Sequence, residues 1–261
     1  MTLITTLIPA YKPEHLGDTL DSLRRQSLRD FRVIVSDDSP GGAITELLRD
    51  GRWRAATHEL DLLVVRGPGN ARHNHQRLVD LWDGSSPLVH LLMDDDVVFP
   101  GFYEAHAQAL SRGRFALSAS PRWLSRDNAA PAWGTALPDC VTGSALHEVA
   151  LTAGAVFDSV VVPCQNWIGE LSNMVWTDEG LAHYPRPPVH GLNYYGLLDI
   201  GAVLTAVESL PMVVVRDHLG VFRQHGAQTT HTVGQHGHRV ALLCWAATAL
   251  HAWSSGRIDD V

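Results

Sequence analysis

Three carboxylates stand in a row at Asp94, Asp95 and Asp96, directly after the apolar run 88–93. Adjacent carboxylates at the end of a strand repel one another and are costly to hold unless a cation neutralises them. Hard divalent cations take oxygen ligands, and magnesium commonly combines one or two carboxylates with substrate phosphates. The triplet therefore favours a metal site over a solvated acidic turn. A second apolar run ends in Ser36-Asp37-Asp38-Ser39 and continues into Pro40-Gly41-Gly42. A carboxylate there could accept a nucleobase N–H or ribose hydroxyls, or Asp38 or Ser39 could cap the next helix. A third segment, Arg66-Gly67-Pro68-Gly69-Asn70-Ala71-Arg72, has glycines that permit close backbone approach. Arg72, near a helix start, could pair with a phosphate or a base, and a plain tight loop fits the same residues.

The elements that must position these groups are legible as alternating patterns. Residues 3–8, 31–36, 60–65 and 88–93 are short apolar runs rich in Val, Ile and Leu. Their near-continuous hydrophobicity suits strands buried on both faces of a parallel sheet. Between them, Leu16, Leu20 and Leu23, and then Ala71, His75, Leu78 and Trp82, recur at helical spacing. Strand–helix–strand repetition implies right-handed crossovers and a doubly wound α/β sheet. Ligands of such sheets bind outside the carboxyl ends of the strands, which selects the loops 9–13, 37–42, 66–74 and 94–100.

Beyond residue 115 the pattern is less regular. Residues 115–120 read as a fifth strand, 166–180 as a helix, 184–189 as a Pro-rich break, 199–209 as a helix and 212–216 as a strand. Residues 240–253 form an apolar stretch too short to span a bilayer, expected as a buried helix. With no repeat and no convincing linker, residues 1–261 are expected to form one domain. Residues 1–114 would be its nucleotide-binding half, and 115–261 its acceptor half with a C-terminal helix.

Composition narrows the function classes. Of the 261 residues 45% are hydrophobic and 18% charged, enough apolar mass for a sizeable core, so a disordered chain is excluded. A net charge of −8 argues against nucleic acid as partner. The 3 cysteines, Cys140, Cys164 and Cys244, form no Cys-x-x-Cys pair and point to a reducing compartment. With neither a signal peptide nor a membrane span in the pattern, a cytoplasmic location is expected.

The three motifs in this order resemble the GT-A fold glycosyltransferases of family 2. Leu7-Ile8-Pro9-Ala10-Tyr11-Lys12 is similar to that family's first strand and loop. Leu20 and Leu23 with Gln26-Ser27, followed by residues 31–39, resemble its first helix and second strand. Gly69-x-x-Arg72 resembles its Gly…Ala-Arg-Asn segment, with His73 where Asn is usual. Asp94-Asp95-Asp96-Val97-Val98-Phe99-Pro100-Gly101 is similar to its metal-binding Asp-x-Asp motif and the proline-glycine after it. In the second half, residues 167–173 resemble an acceptor-side loop, 195–200 the segment of the catalytic base, and 219–226 a late Arg-x-His segment.

What the resemblance implies is concrete. Pro9, Tyr11 and Asp38 would contact the nucleoside, Arg72 the base or pyrophosphate, and Asp94 the ribose or the metal. Asp96 would hold manganese or magnesium, with Asp95 an equal candidate in this register and His225 a further ligand. Asp199 would be the general base, although a lone Asp at a helix start also serves as a cap or dipole partner. Asp178 and Glu179 are the reserves. Trp167, Gly169 and Ser172 would meet the acceptor. The implied reaction moves one sugar, with inversion, from a nucleotide-sugar donor, UDP above all, to a glycan or lipid-linked acceptor in bacterial surface-glycan assembly. The Gln-x-x-Arg-Trp segment of the family's processive synthases is missing, which points to addition of one sugar or a few.

Other readings remain beside this one. Of 15 histidines, His225, His231, His236 and His238 crowd one stretch, and imidazole suits transition metals. A histidine-based metal hydrolase would use them, but no His-Glu-x-x-His pair is present. A non-catalytic nucleotide- or sugar-binding module follows if Asp199 is only a cap. A nucleotidyltransferase would need a Gly-rich basic first loop, which Pro9-Ala10-Tyr11-Lys12-Pro13 does not supply. Of 8 tryptophans, Trp123, Trp133, Trp167 and Trp176 fall in the acceptor half, where a ring could pack on a sugar face. Peripheral contact with a membrane stays open, and oligomeric state is not legible.

Overall fold

The computed structural model describes residues 2–126, 129–182, 184, 197–226 and 234–259. The elements that carry the first half are β1 (Ile4–Ala10), α1 (Leu16–Arg24), β2 (Phe31–Asp37), α2 (Ala43–Arg49), α3 (Arg54–Thr57), β3 (Leu62–Arg66), α4 (Ala71–Trp82) and β4 (Leu88–Leu91). They are followed by β5 (Val97–Val98), α5 (Phe102–Ser111), β6 (Leu117–Ala119), β7 (Arg122–Arg126), β8 (Trp133–Gly134), α6 (Asp139–Thr142), β9 (Glu148–Leu151) and α7 (Ala153–Val160). The chain then forms β10 (Met174–Thr177), α8 (Asp178–Leu181), α9 (Leu198–Val207), β11 (Met212–Val215), β12 (Gly220–Gln224) and α10 (Gly234–Ser254).

An 8-stranded sheet runs in the order β3-β2-β1-β4-β10-β6-β11-β9. The quartet β3-β2-β1-β4 is parallel, as is β6 with β11, while β10 is antiparallel to both its neighbours and β9 antiparallel to β11. The result is a mixed α/β architecture with a mostly parallel central sheet between helices. The pleat explains why the strands read as unbroken apolar runs. Leu7, Ile34, Val89 and Leu91 point to one core, with Leu78 and Trp82 of α4. Ile4, Ile8, Val33, Val35, Leu88 and Leu92 point to the other, with Leu16, Leu20 and Leu23 of α1 and Phe102 and Tyr103 of α5. In β1, β2 and β4 each face thus uses alternate residues, and both are buried, whereas β3, expected to be buried on both faces, is the edge strand and leaves Leu63 52% exposed.

Two element readings are corrected. Residues 166–180 are not a helix: a 3₁₀ turn at Leu171–Asn173 leads into β10, and only Asp178–Leu181 is helical. Met174, Val175 and Trp176 are fully buried because β10 is inserted between β4 and β6, so a central-sheet position overrides any helical preference. Residues 240–253 are helical but not buried all round. Ala252 and Thr248 face inward, while Leu242, Leu243, Leu250 and Trp253 stay 54–69% exposed. A second, 4-stranded sheet, β5-β12-β7-β8, stands beside the first and carries the chain back to the triplet Asp94–Asp96.

Candidate active site

In the strand order 3-2-1-4 the chain steps outward from β1 to β3 and then returns to the other side of β1. The crevice beyond the carboxyl ends of β1 and β4 is therefore the topological switch point, where open α/β sheets bind ligands. The loops there are tied together through their backbones. The amides of Tyr11 and Lys12 donate to Asp94 Oδ2 at 2.7 and 3.0 Å. The Asp38 amide donates to the Ala10 carbonyl (2.7 Å), and the Gly67 amide to the Asp37 carbonyl (2.8 Å). The Gly69 amide donates to Asp38 Oδ1, and a Cβ on Gly67 would lie 2.5 Å from that oxygen, so this loop needs glycine to close.

Asp37 and Asp38 do different work. Asp37 is fully buried and accepts from the amides and hydroxyls of Ser39 and Thr45, which hold its carboxyl below the usual carboxylate range against its burial. Arg66 donates to the Asp37 and Ser39 carbonyls at 2.7 Å each. Asp37 is thus the structural member of the pair, and Asp38 lies at the loop crossing. Pro9 is half-buried at the end of β1, and Tyr11 is 54% exposed beside the crevice. Arg72 is exposed in the first turn of α4, whose N-cap Asn70 accepts from the His73 amide.

The triplet separates into three environments. Asp94 faces the β1 loop; burial pushes its carboxyl up to about 6, against the pull of the Lys12 and Tyr11 amides. Asp95 is half-buried, and its Oδ2 lies 2.9 Å from His225 Nε2. Asp96 turns inward and is 1% exposed. Its Oδ1 accepts from the Arg223 amide (3.0 Å), while Oδ2 is buried without a hydrogen-bond partner. Burial and the Asp95 charge push its carboxyl well above the usual range, opposed by the Ser172 hydroxyl and the Arg223 amide. Arg223, itself 1% exposed, donates to the Asp95 carbonyl and pairs with Asp18 at 2.8 Å. His15 stacks near His225, ring centroids 5.0 Å apart.

This geometry bears on the metal assignment. Asp96 is enclosed beneath the second sheet rather than turned with its neighbours toward the crevice, so the carboxylate that shares space with His225 is Asp95. One carboxylate and one imidazole are a partial donor set, and they fit a divalent cation whose remaining ligands are diphosphate oxygens and water. Among the described residues, no group of three or more His, Cys, Asp and Glu is arranged to hold a metal by itself. His231 and the side chain of His236, which the hydrolase reading would use, lie outside the described residues.

The acceptor-side loop is held by contacts that the sequence reading did not single out. His90 of β4 is fully buried, its Nε2 2.9 Å from the Ser172 carbonyl, and the Ser172 hydroxyl accepts from the Met93 amide at 3.1 Å. Burial lowers His90 to about 4, so the ring is neutral at physiological pH and Nε2 carries the donated hydrogen. Glu170 pairs with Arg122, whose Nη2 donates to Oε1 at 2.8 Å. Gly169 has φ +105° and lies where a Cβ would strike Arg122 and Asn173, so no other residue fits there. A narrow pocket beneath the loop is lined by Asp96, Arg122, Glu170, Ser172, Asn173 and Phe222.

Trp167 is a correction. Its ring is 5% exposed in the core and its Nε1 donates to Ser159 at 3.1 Å, leaving no free face for a sugar. Trp176 is likewise core. Asp199 sits in the first turn of α9, half-buried. Burial first, and then the Glu170 carboxylate, push its carboxyl up to about 7, with Arg122 pulling the other way. Tyr195 and Gly196 of the same segment lie outside the described residues. Glu179, a reserve for the base, is occupied at the surface by Arg114 at 2.7 Å.

No protein-family model matches the chain, and no curated protein does. Solved structures do. The Staphylococcus aureus protein TarS, residues 1–349 in complex with UDP-GlcNAc, superposes with a TM-score of 0.61 at 13% identity, over 93% of this chain and 65% of that one. A longer TarS structure gives 0.59 at 15%, over 86% of this chain and 37% of the other. A mannosyltransferase from Pyrobaculum calidifontis, in complex with GDP-Man and Mn2+, gives 0.59 at 14%, over 95% of this chain and 64% of that one. The chain thus spans less than two thirds of the length of each of these three. What is shared is the fold: this chain has the GT-A glycosyltransferase fold.

Proposed function

We propose that the protein transfers a single sugar from a nucleoside diphosphate sugar to an acceptor hydroxyl, with inversion at the anomeric carbon. UDP is the proposed nucleotide, residues 1–114 the donor half, and a surface glycan or its lipid-linked precursor the proposed acceptor. The observation that carries this reading is the meeting, at the switch point of the sheet, of Asp94 on the Tyr11 and Lys12 amides with the Asp95–His225 pair. The superposed structures support it, since one is a complex with UDP-GlcNAc and another a complex with GDP-Man and Mn2+.

In this mechanism Pro9, Tyr11 and Asp38 bound the nucleoside, and Asp94 orders the loop against it. Arg72 supplies positive charge near the diphosphate. Asp95 and His225 would hold manganese or magnesium, which when bound stabilises the negative charge on the departing diphosphate. Asp199 accepts the acceptor hydroxyl proton as the new C–O bond forms on the face opposite the leaving group. The bond to the diphosphate breaks, and the nucleotide keeps its electron pair. A carboxyl near pH 7 suits a general base at neutral pH. Gly169 and Ser172 shape the acceptor side, the latter through His90.

The test is a thermal-shift panel of UDP, dTDP and GDP, each with and without manganese, on the wild type and Asp95→Asn. A ligand at about 100 times its Kd adds roughly 2.7 kcal/mol of stability. The expected result is a manganese-dependent shift with UDP that Asp95→Asn loses. If no nucleotide shifts the wild type, the donor-site reading falls. A shift that persists in Asp95→Asn removes the metal role from Asp95.

A further inference from the structure

The second sheet carries a surface that the donor and base assignments leave unused. In its register Phe222 of β12 lies opposite Leu124 of β7, and Leu124 opposite Trp133 of β8. Residues in register share a face, so these three side chains form one apolar row across three strands. Phe222 and Leu124 are half-buried, and Trp133 is 41% exposed. Two residues along β7 in either direction, an arginine stands on the same face. Arg122 lies 6.0 Å from the Phe222 ring centroid, and Arg126 lies 5.8 Å from that of Trp133. The opposite face is closed, with Ser125, Val221 and Arg223 buried and Trp123 stacked on His218 at 4.6 Å.

The two arginines differ in a way that assigns a direction to the row. Arg122 is neutralised by Glu170, the residue beside Ser172 in the acceptor-side loop and one of the charges acting on Asp199. Its end of the row therefore lies on the side of the acceptor-side loop and the proposed base. Arg126, at the outer end, is exposed, and among the described residues its guanidinium has neither a carboxylate partner nor a hydrogen bond. An aromatic face with an exposed cation beside it, in a chain of net charge −8, is complementary to a ligand with a flat apolar face and an acid group. Saccharides carrying acid groups combine both: axial C–H bonds pack on the ring while the anion meets the guanidinium.

We propose that this face is the acceptor subsite and selects an acidic saccharide, with Trp133 and Phe222 under successive sugar rings and Arg126 on the carboxylate or phosphate of the ring over Trp133. The inference rests on the transferase reading, because it takes the sugar as the acceptor of that reaction. Arg126 and Trp133 are specificity residues at the far end of the row and touch neither the donor loops nor Asp199.

Calorimetric titration of the full chain tests this with tetragalacturonate, its methyl ester, and maltotetraose with and without a terminal 6-phosphate. The expected result is at least tenfold tighter binding of an acid form than of its neutral counterpart. Arg126→Gln should abolish that preference, and Trp133→Ala should weaken both forms. The arm that shows the preference identifies carboxylate or phosphate as the group read. Both side chains are exposed, so folding is checked by an unchanged UDP–manganese thermal shift in each variant. Equal binding of acid and neutral forms, no binding at all, or a preference that survives Arg126→Gln overturns the proposal. If the nucleotide shift is present and the saccharide preference absent, this inference fails alone. If the saccharide preference depends on Arg126 but no nucleotide shifts the wild type, the platform stands as a saccharide site and the transferase reading is what fails.

Discussion

Asp199 joins burial to chemistry at a single carboxyl. Its proton is held up to about pH 7 in the folded chain, whereas an ordinary aspartate releases it near 3.8. In the proposed role of general base it must be ionised, so turnover should rise with pH to a midpoint near 7 and stay level above it. Replacing Glu170 by Gln removes a negative charge that helps raise Asp199, and the midpoint of the pH–rate profile should move toward acid. The same shift has a stability consequence of fixed sign. Between about pH 4 and 7 the folded chain holds a proton that the unfolded chain has lost, so this group's contribution to stability falls as pH rises. Asp199→Asn removes that effect. Its melting temperature relative to wild type should therefore be higher at pH 8 than at pH 4.5, read by scanning calorimetry. The chemical types of the candidate groups are legible from sequence, but their division of labour is not. Asp94, Asp95 and Asp96 are identical neighbours, and only the packing of Arg223 against Asp96 and of His225 against Asp95 separates them.

At the scale of elements, the parallel quartet follows the apolar runs closely. Residues 31–36 are found as β2 at Phe31–Asp37, and the helix expected from Ala71, His75, Leu78 and Trp82 is α4. Alternate side chains feed two cores, which is why the runs carry no polar alternation. The segment 166–180 was less legible because β10 is defined by its neighbours β4 and β6, both remote in sequence, rather than by any periodicity of its own. Close packing around it has a measurable cost. A Cβ on Gly180 of α8 would lie 1.9 Å from the Ala116 carbonyl oxygen, a backbone atom that cannot turn aside. Gly180→Ala should destabilise the protein by about 3 kcal/mol, the upper end of ordinary overpacking. Urea denaturation should show a lower midpoint with an unchanged slope. Asn70→Ala, which removes the side-chain cap of α4, should cost about 1 kcal/mol by the same measurement.

Across the whole molecule, one buried side chain ties the second sheet to the triplet and to α1. Arg223 leaves β12 to reach the Asp95 carbonyl and Asp18 of α1, while its own amide holds Asp96. Arg223→Met would leave the Asp95 carbonyl without this donor, at a cost of about 1–3 kcal/mol in chemical denaturation. Because that contact sets the triplet, the manganese-dependent nucleotide shift should shrink as well. Among the described residues, no helix is long and apolar enough to cross a membrane. The apolar runs and the carboxylates that end them are legible along the chain, because hydrophobic patterning and turn chemistry lie in residues close in sequence, but the edge position of β3, which leaves Leu63 52% exposed, is not. Long-range packing encloses Asp96, takes Trp167 into the core, and brings Asp95 and His225 together. It also set Arg122 and Glu170 beside Asp199 and left Trp133 with Arg126 on an open face. Each of these is a contact between segments far apart in the chain, and burial of a polar group depends on what the fold brings to it.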